Sequence, residues 1–64
     1  MGLKVKIRRI ELNMKQKDLA KSVGITPQYL RNIEKGIATN PSIEIMKNIA
    51  KELRCSVQEL FFNE

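Results

Sequence analysis

Apolar residues recur along this chain at spacings of three and four, the period of helices that bury one face. Leu3, Ile7 and Ile10 form the first stripe and predict a helix over 3–12 with that face turned inward. Asn13 tolerates the left-handed backbone that commonly ends a helix, and Met14 packs where the chain turns. Leu19 and Val23, four apart with Ala20 beside them, predict a second helix starting near Gln16. Gly24 follows the last apolar position, where glycine takes the left-handed conformation without strain, and Ile25 folds back onto the core. Thr26 is a good N-cap, and Pro27 suits a first helical position because its missing amide hydrogen is not needed there. A third helix therefore covers about 26–35, with Leu30 and Ile33 inward and Gly36 at its end.

Ile37, Ala38, Thr39 and Asn40 form a connecting loop before Pro41. Ser42 caps a fourth helix that runs to about 53, with Ile43, Met46, Ile49, Ala50 and Leu53 as its inward stripe. A short fifth helix over 56–60 carries Val57, Leu60 and Phe61 on its apolar side. The weakest start is that of helix two. Lys15 at its N-cap cannot accept an amide hydrogen bond, a deficit of ~1 kcal/mol relative to serine. Asp18 in the first turn partly offsets this through the helix dipole. Two prolines, three glycines and no alternating β-branched run leave an all-α fold as the simplest reading. The expectation is one domain over 1–64 made of five helices, without repeats or low-complexity segments.

The segment from Gln16 to Lys35 thus reads as helix, tight turn and second helix, with the small Ala20 allowing close crossing. Such a unit holds its second helix where the major groove of DNA can receive it. Charge sharpens that expectation. The net charge is +5, and residues 1–36 carry nine basic side chains against three acidic ones, whereas 37–64 carry three against four. The positive charge travels with the helix-turn-helix half, as a phosphate-binding surface requires. A solvated basic face that only aids solubility is the plainer alternative.

Composition removes most other chemistries. A chain of 64 residues buries only roughly 60% of its unfolded surface, which implies modest stability. With no histidine, neither a zinc cluster nor an imidazole base can be assembled, and no paired carboxylates beside an apolar pocket are evident. No enzyme activity, cofactor, metal or small-molecule ligand is therefore expected. Cys55 is the one cysteine, so no internal disulfide forms; a buried thiol and a reducing cytoplasm fit. No apolar stretch approaches the ~18 residues of a membrane span, and the N-terminus lacks the apolar core of a signal peptide.

Several segments carry a family resemblance. Lys-Ile-Arg-Arg-Ile-Glu-Leu-Asn-Met-Lys-Gln (6–16), Ile-Glu-Lys-Gly (33–36), Asn-Pro-Ser-Ile-Glu (40–44), Ile-Ala-Lys-Glu-Leu (49–53) and Ser-Val-Gln-Glu-Leu-Phe (56–61) occur in order. Together they resemble, over essentially the whole chain, the helix-turn-helix domain of phage repressors and Cro proteins, the xenobiotic-response-element family. The resemblance implies a compact five-helix repressor-like domain and a sequence-specific, double-stranded-DNA-binding transcriptional regulator, a repressor from a bacterium or mobile element. It implies base-edge reading at positions 27, 28 and 32, here Pro27, Gln28 and Asn32, with Arg31 beside them able to reach guanine or phosphate. It implies phosphate binding by the Gln16 backbone amide while the Gln16 side chain orients a recognition-helix residue. Thr26 would contact phosphate while capping, and Tyr29 would stack on sugar or donate to phosphate. Lys15, Lys35, Thr39 and Asn40 complete the phosphate set, and Arg9 and Glu34 form a structural ion pair.

Departures from the family pattern matter as well. Pro27 has no side-chain donor and offers a base only apolar contact, such as to a thymine methyl. The loop over 37–40 lacks basic residues, and Arg54 stands where a glycine often ends the fourth helix. Phe62, next to Val57 on the last helix, suggests a partner surface, and the resemblance implies that this end forms a homodimer, and hence a short palindromic operator. The alternative is a helix-turn-helix protein-interaction module or antitoxin whose main partner is another protein.

Overall fold

The computed structural model describes residues 2–37 and 41–62. Four α-helices, α1 (Leu3–Glu11), α2 (Gln16–Val23), α3 (Pro27–Glu34) and α4 (Ile43–Glu52), precede a short α5 (Gln58–Phe62) wound with the wider π turn. No strand occurs among the described residues, in agreement with the all-α expectation. α2 is central, packed on both α3 and α4, while α1 lies across α3 and α5. Val5, Leu19, Leu30, Ile49 and Leu53 are fully enclosed, and Ala20, Val23, Ile33, Ala50, Leu60 and Phe61 complete the core.

Local chemistry sets the ends of these helices. Gly24 takes φ 86° and Gly36 φ 76°, the left-handed region where glycine alone escapes a Cβ penalty. The Ile25 amide reaches back to the Ala20 carbonyl at 3.0 Å and turns the chain sharply into α3. Asn13 ends α1 at φ 57°. Arg54 performs the same task after α4, also at φ 57°. The Cys55 amide closes that turn on the Ala50 carbonyl at 3.0 Å, so the helix stops as it would with glycine, at a strain of about 1 kcal/mol. Thr26 Oγ1 accepts from the Tyr29 amide at 3.0 Å, and Ser42 Oγ from the Ile45 amide at 3.1 Å. Lys15 makes no side-chain cap bond. Ser56 and Glu59 form a reciprocal capping box, with Ser56 Oγ accepting from the Glu59 amide at 3.0 Å and Glu59 Oε1 from the Ser56 amide at 3.1 Å. The last helix therefore starts later than the 56–60 spacing suggests, and it continues through Phe62.

Helix α1 faces the opposite way from its predicted stripe. Leu3, Ile7 and Ile10 are 61%, 48% and 55% exposed, whereas Val5 is fully buried. The inward face is decided by two arginines with distant partners. Arg8 Nε donates to the Leu53 carbonyl at 3.0 Å, and Arg9 bonds Glu34 on α3. Gly2 adds a close approach. It is buried, and a Cβ there would overlap the Ile33 carbonyl oxygen and lie 2.9 Å from Glu34 Cα. Only glycine lets the start of α1 press onto the end of α3. Ile43, placed inward by the spacing on α4, is also exposed, because it sits in the first turn at the edge of the buried stripe.

Candidate nucleic-acid interface

The helical period of α3 sorts its residues into two faces. Leu30, Ile33 and Glu34 turn inward and are buried. Pro27, Gln28, Arg31 and Lys35 are exposed and Asn32 is half-buried, all on the outward arc of the helix. Gln28 Nε2 donates to Asn32 Oδ1 at 3.1 Å, one helical turn along. This arc offers amide donors and acceptors, a guanidinium and an ammonium, which are the groups that read base edges and phosphates.

A buried polar clamp fixes that helix. Arg9 Nε donates to Glu34 Oε2 at 2.8 Å, Arg9 Nη2 to Glu34 Oε1 at 3.2 Å, and Arg9 Nη1 to the Met14 carbonyl at 2.9 Å. Gln16 Nε2 adds a bond to Glu34 Oε1 at 3.0 Å. The side chains of Arg9 and Glu34 are only 11% and 3% exposed, so the pair is shielded from competing water. Among the described residues no buried side-chain polar atom lacks a partner. The recognition-helix side chain that Gln16 holds is thus Glu34, on the inner face. Pro27 has no polar group to offer it. The clamp ties α1, the start of α2 and the end of α3 into one rigid unit.

An open cleft of about 310 Å³ lies at this junction, lined by Lys6, Arg9, Gln16, Arg31, Glu34 and Lys35. Arg9 is neutralised by Glu34, so Lys6, Arg31 and Lys35 give the cleft its positive character. Lys6 was not legible as a site residue. The one signal for it is its position one turn before Arg9 on the same helix. Close by, the start of α2 presents amides that have no partner within the helix, a ready site for an anion. Lys15 precedes that start and is exposed. Thr26 Oγ1 is used as an acceptor by the Tyr29 amide, which leaves its hydroxyl hydrogen for donation. Tyr29 is half-buried against the core. Thr39 and Asn40 lie outside the described residues. On the last helix, Val57 is half-buried and Phe62 is 61% exposed.

The family model described as Helix-turn-helix matches residues 5–60. The chain belongs to the helix-turn-helix family. Its similarity to the repressor and Cro group stands with that match. The transcriptional regulator SinR of Bacillus subtilis (strain 168) is 33% identical over 60 residues, which is 94% of this chain and 54% of that protein. This helix-turn-helix chain therefore spans about half the length of SinR. The transcriptional regulator MJ0272 of Methanocaldococcus jannaschii is 36% identical over 64 residues, covering 100% of this chain and 96% of that protein. Among solved structures, SinR in complex with DNA superposes with a TM-score of 0.84 at 34% identity, over 92% of this chain and 94% of that one. The SinR/SinI complex gives 0.88 at 32% identity, over 97% of this chain and 60% of that one.

Proposed function

We propose that this chain is a sequence-specific double-stranded-DNA-binding transcriptional regulator, a repressor, that lays α3 in the major groove. The observation that carries this reading is the division of α3. Its inner face is locked by the Arg9–Glu34–Gln16 clamp, and its outer face holds Pro27, Gln28, Arg31 and Asn32, with Lys35 at its C-cap. A helix that must present side chains to base edges needs that combination of fixed axis and free polar face. Gln28, Arg31 and Asn32 read bases, and Pro27 supplies apolar contact. The Gln16 amide, Thr26, Tyr29, Lys15 and Lys35 hold phosphates, with Thr39 and Asn40 as further donors. The solved complex of SinR with DNA supports the reading, at 34% identity. The relatives are transcriptional regulators, and the action proposed here is binding without a chemical step, in the cytoplasm.

Two copies joined through the exposed Phe62 and the half-buried Val57 would set their recognition helices about one helical turn apart, ~34 Å, on a palindrome. Sedimentation that shows only monomer at high concentration, with and without DNA, would remove the dimer from the reading. The main test is selection of bound duplexes from a random pool at stepped salt. A DNA reader enriches a motif and loses affinity steeply with salt as counterions are released. No enrichment at any salt would instead favour a protein-interaction module.

A further inference from the structure

The geometry points to Gln28 and Asn32 acting as one coupled reading unit, in which Asn32 sets the orientation of the Gln28 amide. This rests on the reading of α3 as the recognition helix. The observation behind it is the 3.1 Å bond from Gln28 Nε2 to Asn32 Oδ1 on the outward arc of α3.

A primary amide has two hydrogens on nitrogen and an acceptor oxygen, and nothing in its shape alone decides which end faces a base. The bond to Asn32 removes that freedom. One Nε2 hydrogen is committed, and what remains to Gln28 is the other Nε2 hydrogen together with Oε1. That is one donor and one acceptor side by side, the complement of adenine N7 and N6 in the major groove. Asn32 keeps the second lone pair of Oδ1 and both Nδ2 hydrogens, so its own amide stays open to a base edge or a phosphate. The pair therefore fixes the Gln28 step as adenine, whereas an unoriented Gln28 amide could turn either end to the base. Pro27 strengthens the division of labour, because the preceding position on this arc has no polar group that could orient Gln28 in place of Asn32. Gln16, which could reach across from α2, is already bonded to Glu34 at 3.0 Å.

The test is selection from random duplexes with wild type, Gln28→Ala, Asn32→Ala and Asn32→Asp, each checked for unchanged helical circular dichroism. The base step lost in Gln28→Ala is the Gln28 step. Asn32→Ala is expected to lower the adenine preference at the Gln28 step roughly twofold, the worth of an exposed i,i+4 amide bond. Asn32→Asp keeps an acceptor for Gln28, so adenine at the Gln28 step survives. Full retention of adenine preference in Asn32→Ala, with wild type enriching a clear motif, overturns the coupling while leaving DNA reading intact. If wild type enriches no motif, the DNA-reading function itself fails and the coupling with it.

Discussion

Removing Arg9 is the sharpest perturbation of the clamp. Arg9→Met keeps the length of the side chain and its methylene packing but deletes three hydrogen bonds, at 2.8 and 3.2 Å to Glu34 and 2.9 Å to the Met14 carbonyl. Glu34, whose side chain is 3% exposed, is left with Gln16 as its one side-chain partner. An uncompensated buried charge of this kind costs about 3–5 kcal/mol. A domain this short holds on the order of 3–10 kcal/mol in total, so the variant should sit at the edge of unfolding at room temperature. With a urea slope near 1 kcal/mol/M for a small domain, the midpoint should fall by about 3 M. Urea titration followed by circular dichroism reads this directly. The double variant Arg9→Met/Glu34→Leu removes both charges and should recover most of the loss, because apolar replacement of a buried ion pair is often near neutral. A loss under about 1 kcal/mol in the single variant would refute the argument, as would a double variant no more stable than the single one.

Three further outcomes are expected. Val5→Ala should cost about 2 kcal/mol as a core truncation, while Ile7→Ser changes stability much less; equal losses in urea titration would mean α1 faces as its apolar stripe suggests. Arg54→Gly relieves a left-handed arginine at φ 57° and should raise stability by about 0.5–1 kcal/mol, or roughly 3–6 °C in melting temperature; an unchanged or lower melting temperature would contradict it. Hydrogen bonding to Ser56, first through its amide and then its hydroxyl, holds the Glu59 carboxyl below its ordinary value, with Arg8 adding to the effect. A lowered folded-state value means stability that is present above the unfolded carboxylate range and lost as pH falls through the folded one. Wild type should therefore lose stability on acidification, Glu59→Ala should lose less, and parallel curves for the two would argue against the cap.

Local turn chemistry was readable from the residues because it depends on near neighbours. Gly24, Thr26 and Pro27 specify a left-handed stop, a cap and a helical start within four positions, and the structure has each. The outward arc of α3 follows from helical period once Leu30 and Ile33 are placed inside. The orientation of α1 was not readable. Leu3, Ile7 and Ile10 make a cleaner apolar stripe than Val5 and Leu12, yet they face outward. The deciding contacts, Arg8 to Leu53, Arg9 to Glu34 and Gly2 against Ile33, join residues 25 to 45 positions apart, and apolar periodicity carries no information about them. The same long-range packing brings Lys6 to the basic cleft. The Gln28–Asn32 bond is different, since its i,i+4 spacing already makes the two amides neighbours on a helix.

The most direct test of the central claim is a comparison of one selected duplex with a scrambled duplex of the same length. Wild type and the triple variant Gln28→Ala/Arg31→Ala/Asn32→Ala would be titrated by fluorescence anisotropy at matched salt. All three side chains lie outside the core, so the variant should keep the wild-type fold by circular dichroism. Wild type should prefer the selected duplex by at least about 10³-fold. The triple variant should bind both duplexes equally and weakly, through phosphate contacts alone. A triple variant that keeps the wild-type preference would show that the outward face of α3 does not read the DNA.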